Sequence, residues 1–217
     1  MTILFRFLCV AIGYVIGSFS PAYFYGKLKG INIKEEGSKN AGTTNALRVM
    51  GKKAGIIVFA LDLAKAALAA VICCFTFGTM PFYSGCNQLY MLYGSLGVFI
   101  GHSFPFYLNF SGGKGVASTL GALLVIDWRL GLICFGVFLV ITLIWRYVSL
   151  GSIIGAMTYL IMWAVFGNYG LLYIDKVYFA ESTVIVGIIC IFIVVRHHSN
   201  IRRLIRKEEN KLGSKRS

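Results

Sequence analysis

The chain has 217 residues, of which 58% are hydrophobic and only 13% charged. Ordinary globular chains carry roughly 45–50% apolar and about 25% charged residues, and a mean hydropathy of +0.77 leaves too little polar surface to coat a water-soluble fold. A formal net charge of +13 would suggest nucleic acid in a soluble protein, but here the basic residues gather between apolar runs, as membrane topology is encoded. The composition excludes a soluble protein and predicts an integral membrane protein with no nucleic acid partner.

A span needs about 20 apolar residues to cross roughly 30 Å of hydrocarbon. Seven apolar runs qualify as candidates, at 2–25, 54–78, 88–107, 116–126, 130–145, 148–166 and 179–195. The fourth is too short to cross unaided, so it is expected to borrow residues 112–115 or to begin buried inside the bundle. The first carries one Arg, no Ala-x-Ala site and no lipoprotein box before Cys9, and is read as a retained helix. Placing the N-terminus outside puts Lys27, Lys29, Lys34, Lys39, Arg48, Lys52, Lys53, Lys114, Arg146, Arg196 and the basic tail on the inner face. The outer face keeps only Arg6, Arg129 and Lys176. The expected fold is therefore all-α and polytopic, with seven transmembrane helices, the N-terminus outside and the C-terminus cytoplasmic. Residues 1–207 form one membrane domain and 208–217 a basic cytoplasmic tail, with Lys215 and Arg216 at its end.

Several local features accompany the spans. Gly17-x-x-x-Pro21-x-Tyr23 recurs as Gly101-x-x-x-Pro105-x-Tyr107, using two of the three prolines, and both helix ends are expected to kink. Asp62 and Lys65 stand inside the second run at i, i+3. Intramembrane charges are costly, so the two should face the bundle and form a structural ion pair; the alternative is that either end braces the polar site one or two turns away. The six cysteines, Cys9, Cys73, Cys74, Cys86, Cys134 and Cys190, form no Cys-x-x-Cys pair and read as buried thiols acting as small hydrophobes.

Four stretches hold almost all the versatile side chains. In 37–48, Gly37 and Gly42 allow turns that expose backbone N–H groups, Ser38, Thr43, Thr44 and Asn45 add neutral donors, and Arg48 supplies a planar fork for phosphate. In 101–116, Gly112-Gly113-Lys114-Gly115 leads into a helix whose N-terminus favours an anion. This is no Walker A loop, because Gly115 stands where Ser or Thr would hold magnesium; a flexible glycine loop fits the local sequence equally well. In 146–152, Ser149 reads as a phosphate donor or as a cap for the next helix. In 196–206, His197 and Asn200 are three apart and share a helix face, while the following basic residues suit an anionic lipid surface.

The motifs Gly-Ser-x-Asn-x-Gly-x-Thr-Asn-x-x-Arg, Gly-His-x-Phe-Pro-x-x-x-x-Phe-x-Gly-Gly-Lys-Gly-Val-Ala, Tyr-x-Ser-Leu-Gly and Arg-His-x-x-Asn-Ile-x-Arg-Leu occur in that order between the spans. Together they resemble the bacterial acyl-phosphate-dependent glycerol-3-phosphate acyltransferase family, the PlsY type, over about residues 17–209. Lys39 stands where that family usually has Gly, Thr43 where it has Ala, and Ser118 where Thr is common. The resemblance implies a seven-helix fold in the bacterial cell membrane with a cytoplasmic site. It also implies transfer of a fatty acyl group from acyl phosphate to glycerol 3-phosphate, giving lysophosphatidate and inorganic phosphate. Carried over by motif, His197, Asn200, Ser38, Arg48 and Lys114 form the catalytic set, and Asn40, Gly42, Thr44, Asn45, His102, Gly112, Gly113, Gly115 and Ser149 bind substrate. No metal or cofactor is expected. The partners implied are the two phosphorylated substrates, membrane lipid and, transiently, a soluble enzyme that supplies the acyl phosphate.

Both implied substrates carry phosphate, so Arg48 and Lys114 should lie together on one face beside an apolar slot, with His197 and Asn200 orienting the acceptor. His102, His197 or a substrate phosphate oxygen takes the proton; no carboxylate lies in the four motif stretches to activate a histidine, which favours the substrate. The His-x-x-x-x-Asp arrangement of the other large glycerolipid acyltransferase class is absent, position 107 being Tyr. A transporter for a phosphorylated anion is the rival reading, but only Asp127, Arg129, Asp175, Lys176 and Glu181 enrich the other face.

Overall fold

The computed structural model describes residues 3–78 and 85–213. Thr2 of the first apolar run and Lys215 and Arg216 of the tail lie outside the described residues. The elements run α1 (Ile3–Ser18), α2 (Pro21–Leu28), α3 (Thr43–Phe77), α4 (Asn87–Ser103), a 3-10 turn (Phe106–Leu108), α5 (Val116–Ile126), α6 (Trp128–Trp145), α7 (Val148–Asn168), a second 3-10 turn (Lys176–Tyr178), α8 (Phe179–Arg196) and α9 (His198–Ile205). Among the described residues there is no strand.

Five segments are long and apolar enough to cross a membrane: Ile3–Leu28, Thr43–Phe77, Trp128–Trp145, Val148–Asn168 and Lys176–Arg196. The other two expected spans are the 17-residue α4 and the 11-residue α5. Both are enclosed by the rest of the bundle. Asn87, Gln88, Ser95 and His102 of α4 are buried, as are Ser118 and Thr119 of α5. Helices that meet protein on most sides can be shorter and more polar than helices that meet lipid. The short fourth run does not borrow its glycines: α5 starts at Val116, with Gly115 left-handed (φ +78°) just before it. Outward-facing positions are apolar, for example Phe7, Val15, Ile56, Phe75, Leu143 and Ile191.

Glycine lets α1 and α4 touch backbone to backbone. A Cβ added at Gly13 would lie 2.1 Å from Gly94 O, and one at Gly97 would lie 2.2 Å from Val10 O. Close approach of this kind replaces the missing hydrophobic drive between helices in lipid. Both proline-marked ends break as expected. After α1, Ser20 caps α2 by accepting from Tyr23 N (3.4 Å), with Pro21 in the first turn where its missing N–H costs nothing. After α4, the chain turns at Pro105. The two halves of the repeat then meet, since Tyr107 Oη donates to Ser18 O (2.7 Å) and accepts from Ser20 N (3.0 Å).

At one end of the bundle, Arg6 pairs with both oxygens of Glu181 (2.6 and 2.7 Å), Tyr93 Oη donates to Glu181 (2.5 Å), and Arg129 pairs with Asp127 (2.7 Å). These charges close on one another. The four motif stretches all lie at the opposite end. The six cysteines are free thiols, five buried and Cys86 half-buried.

Candidate active site

The first motif loop is shaped by Asn45, which is 1% exposed. Its Nδ2 donates to Ile33 O (3.2 Å) and Glu36 O (3.0 Å), and its Oδ1 accepts from Ser38 N (2.8 Å). The amide expected to bind substrate is thus spent on holding the loop. Ser38, Asn40 and Thr44 spend no side-chain hydrogen bond on the other described residues. Thr44 and Arg48 sit one turn apart at the start of α3, before Gly51 (φ +85°) breaks that helix.

Lys39 has φ +58°, a left-handed conformation that costs an L-residue roughly 1–2 kcal/mol. This is the position where the resembled motif has glycine. Lys39→Gly is expected to raise the thermal midpoint by a few degrees in detergent while leaving kcat within twofold. A lower midpoint would show that the lysine side chain offsets its backbone strain.

The second loop folds back on the end of α4. Gly112 N donates to Ser103 O (3.0 Å) and Gly113 N to His102 O (3.0 Å). Two N–H groups expected to face an anion are therefore used to satisfy helix-terminal carbonyls. Arg196 Nη2 donates to Gly112 O (3.1 Å) and Gly113 O (3.0 Å), and Lys34 Nζ donates to Ser111 O (2.5 Å) and Ser111 Oγ (2.7 Å). Lys34 thereby ties the first loop to the second. His102, expected to bind substrate, is buried behind the loop, its Nδ1 facing Lys65 Nζ (2.9 Å).

The third and fourth motifs converge on Lys114. Its Nζ donates to Asn200 Oδ1, while Asn200 Nδ2 donates to Glu209 (2.7 Å). Glu209 also accepts from Ser149 Oγ (3.0 Å) and Arg203 Nε (2.6 Å). The Ser149 hydroxyl therefore serves this cluster and does not cap α7. Three donors, Ser149, Asn200 and Arg203, thus close around this one carboxylate. The chain beyond 207 is anchored here, with Leu212 N donating to Arg146 O (2.6 Å) and Arg146 Nη2 to Leu212 O (2.9 Å).

Burial pulls the Lys114 ammonium down to about 8, and Arg203, Arg196 and Arg48 push the same way against Glu209. Arg48, at the start of α3, is the smallest of these influences. His197 lies at the bend between α8 and α9, with Nδ1 2.8 Å from Ile193 O. A carbonyl can only accept, so Nδ1 carries the proton and Nε2 is the acceptor nitrogen. Burial, then the Lys114 charge, lowers the His197 imidazole to about 4, so it is neutral at pH 7.

Glu209 and Lys34 were not among the residues expected from the motifs, and Arg196, which heads the fourth motif, was given no role there. Arg196 directly precedes His197, and Glu209 is one of only eight carboxylates in the chain; a carboxylate six residues past an arginine and surrounded by cations was the available signal.

A half-open apolar recess with about 70 Å³ of free space begins where this polar cluster ends. It is lined by Val116, Leu120, Phe135, Phe138, Tyr159 and Ile193 among others. The helical bundle thus has cations at one end and an apolar recess beginning two residues from Lys114. Residues 7–207 match the family model described as glycerol-3-phosphate acyltransferase, and the chain belongs to that family. It is 37% identical over 213 residues to the glycerol-3-phosphate acyltransferase of Thermoanaerobacter sp. (strain X514), covering 98% of both chains. It is 36% identical over 206 residues to that of Synechococcus elongatus (strain ATCC 33912 / PCC 7942 / FACHB-805), covering 94% of this chain and 93% of the relative. Among solved structures it resembles PlsY (YgiH), an integral membrane glycerol 3-phosphate acyltransferase, in its glycerol 3-phosphate form (TM-score 0.81, 33% identity, 96% of each chain). The lysophosphatidic acid form of PlsY superposes with a TM-score of 0.80 at 33% identity, covering 96% of this chain and 95% of that one.

Proposed function

We propose that the chain transfers a fatty acyl group from an acyl phosphate to the sn-1 hydroxyl of glycerol 3-phosphate, giving lysophosphatidate and inorganic phosphate. The site faces the cytoplasm of a bacterial membrane that the chain crosses seven times, with its N-terminus outside. The observation that carries this reading is the placement of Lys114 between the Asn200–Glu209 polar cluster and an apolar recess. The lopsided distribution of Lys and Arg supports the orientation, and PlsY crystals with glycerol 3-phosphate and lysophosphatidic acid support the acceptor and product.

An acyl phosphate is a mixed anhydride with a good leaving group, so no covalent enzyme nucleophile is needed. The glycerol oxygen attacks the carbonyl carbon, the bond from that carbon to the phosphate oxygen breaks, and phosphate departs. Lys114, Arg48 and the first turn of α5 neutralise phosphate charge and fix the reactants in register. His197 Nε2, neutral and accepting, orients the acceptor hydroxyl. At about 4 the imidazole is too weak a base to hold the proton at pH 7, which leaves a substrate phosphate oxygen to take it. The acyl phosphate comes from a separate soluble enzyme that meets the membrane transiently.

Purified protein given palmitoyl phosphate and labelled glycerol 3-phosphate should form lysophosphatidate and release phosphate. Equal turnover with acyl-CoA or acyl carrier protein would overturn the choice of donor, and uptake into sealed vesicles without acyl transfer would mark a transporter. The recess makes its own prediction. A Cβ at Gly155, which lines it, would sit in ordinary van der Waals contact with Cys134 O and Phe138 Cβ, both 3.7 Å away, so Gly155→Leu adds its side chain at the recess wall without a clash at the Cβ. Because each methylene in an apolar pocket is worth about 1–3 kcal/mol, turnover of palmitoyl phosphate should fall tenfold or more while octanoyl phosphate stays within threefold. An equal loss for both chains would show that the acyl group lies elsewhere.

A further inference from the structure

Behind the glycine loop lies a buried cluster that the reaction above does not use. Asp62 and Lys65 of α3 form an ion pair (2.7 Å), both nearly inaccessible. Lys65 Nζ also donates to Phe19 O (2.7 Å) and lies 2.9 Å from His102 Nδ1, whereas Asp62 is 3.3 Å from the same nitrogen. An ammonium has three donors and no lone pair. Its three partners here are a carboxylate, a carbonyl and an imidazole nitrogen, so His102 Nδ1 accepts and the neutral ring carries its proton on Nε2. That nitrogen lies 2.1 Å from where a Cβ on Gly113 would be, with Ala41 O 3.0 Å from the same point. The ring therefore fills the space beneath Gly113, and the backbone carbonyls of His102 and Ser103 take the Gly113 and Gly112 N–H groups.

The geometry points to Asp62, Lys65 and His102 as positioning residues for the acyl-transfer reaction: the ion pair fixes the rotamer and tautomer of His102, and His102 sets the height of the loop that carries Lys114. All three side chains are buried behind the loop. The kinetic arm of this inference rests on the proposed reaction; the structural arm does not.

Lys65→Met alone leaves a buried carboxylate uncompensated and invites misfolding. The informative variants are the apolar double Asp62→Leu/Lys65→Met, which removes both charges, and His102→Asn, which keeps an acceptor near the Nδ1 position but removes the ring beneath Gly113. Each is purified as full-length protein in detergent beside the wild type. Hydrogen exchange is followed at the Gly112 and Gly113 amides, and KM and kcat are measured for both phosphorylated substrates. The expected result is at least tenfold faster exchange at these two amides with α6 and α7 unchanged, and a tenfold or greater rise in KM for one phosphorylated substrate with kcat within threefold. Exchange that is unchanged in the loop, or accelerated equally in α6 and α7, overturns the inference, as does lower kcat at unchanged KM. A wild type that forms no lysophosphatidate overturns the proposed reaction, and loop exchange alone then decides the positioning role.

Discussion

Lys114→Ala is expected to lower kcat/KM for acyl transfer by about 100- to 1,000-fold, the usual consequence of removing one donor aimed at developing or bound negative charge in a water-poor site. The loss has two parts. Phosphate loses its nearest ammonium, and Asn200 Oδ1 loses the donor that orients it. The pH profile separates the charge from the shape. Lys114 titrates at about 8 because burial and three neighbouring arginines oppose its charge, so the free enzyme loses the ammonium as pH rises through 8. kcat/KM should then fall about tenfold per pH unit above 8, whereas kcat, read with phosphate already bound beside the lysine, should hold to higher pH. Stability moves the other way. Between 8 and the ordinary lysine value of 10.5, the unfolded chain binds more protons than the folded one, so folding is favoured as pH rises across that window. Lys114→Arg keeps its charge throughout and should abolish the alkaline limb, although its planar fork fits the contact to Asn200 less well. An alkaline limb that persists in Lys114→Arg would assign the titration to another group.

The apolar helices were legible because hydropathy reports removal from water, whether into lipid or into the interior of the bundle. The run at 116–126 coincides with α5 at both ends, and 148–166 and 179–195 mark α7 and α8 to within two residues. Hydropathy misses whatever is helical but wet. α3 begins at Thr43, not near 54, because Arg48, Lys52 and Lys53 extend it beyond the apolar run. α6 begins at Trp128 because Asp127 accepts from Arg129 N at its start (3.1 Å), a cap that the basic neighbour obscures. Residue types likewise named the site without revealing which groups were already engaged. The i, i+3 spacing of Asp62 and Lys65 announced their pairing, but His102, the third partner, lies 37 residues from Lys65 and is brought in only by the packing of α4 on α3. Gly112 and Gly113 look like anion donors until the end of α4 claims their N–H groups. Glu209 joins the site when the chain folds back after α9, which brings it to Ser149, 60 residues away in sequence.

Gly113→Ala should be almost as damaging as loss of Lys114, and for a steric reason. The new methyl carbon would stand 2.1 Å from His102 Nε2, 2.8 Å from His102 Cε1 and 3.0 Å from Ala41 O. Contacts under 3.0 Å force movement, and the ring is poorly placed to retreat: it is buried, and its Nδ1 is held by Lys65. The loop is the part that gives way, and Lys114 is the next residue along it. A displacement of about 1 Å in a positioned catalytic group costs on the order of 100-fold, so kcat/KM should drop by at least that factor with most of the fold retained. Gly136→Ala is the matched control. It adds the same methyl group inside α6, where nothing lies within 4 Å, and should keep kcat/KM within twofold while slightly favouring the helix. Comparable activity in the two alanine variants, with equal thermal midpoints, would mean that the loop tolerates displacement and that the height of Lys114 above His102 does not govern acyl transfer.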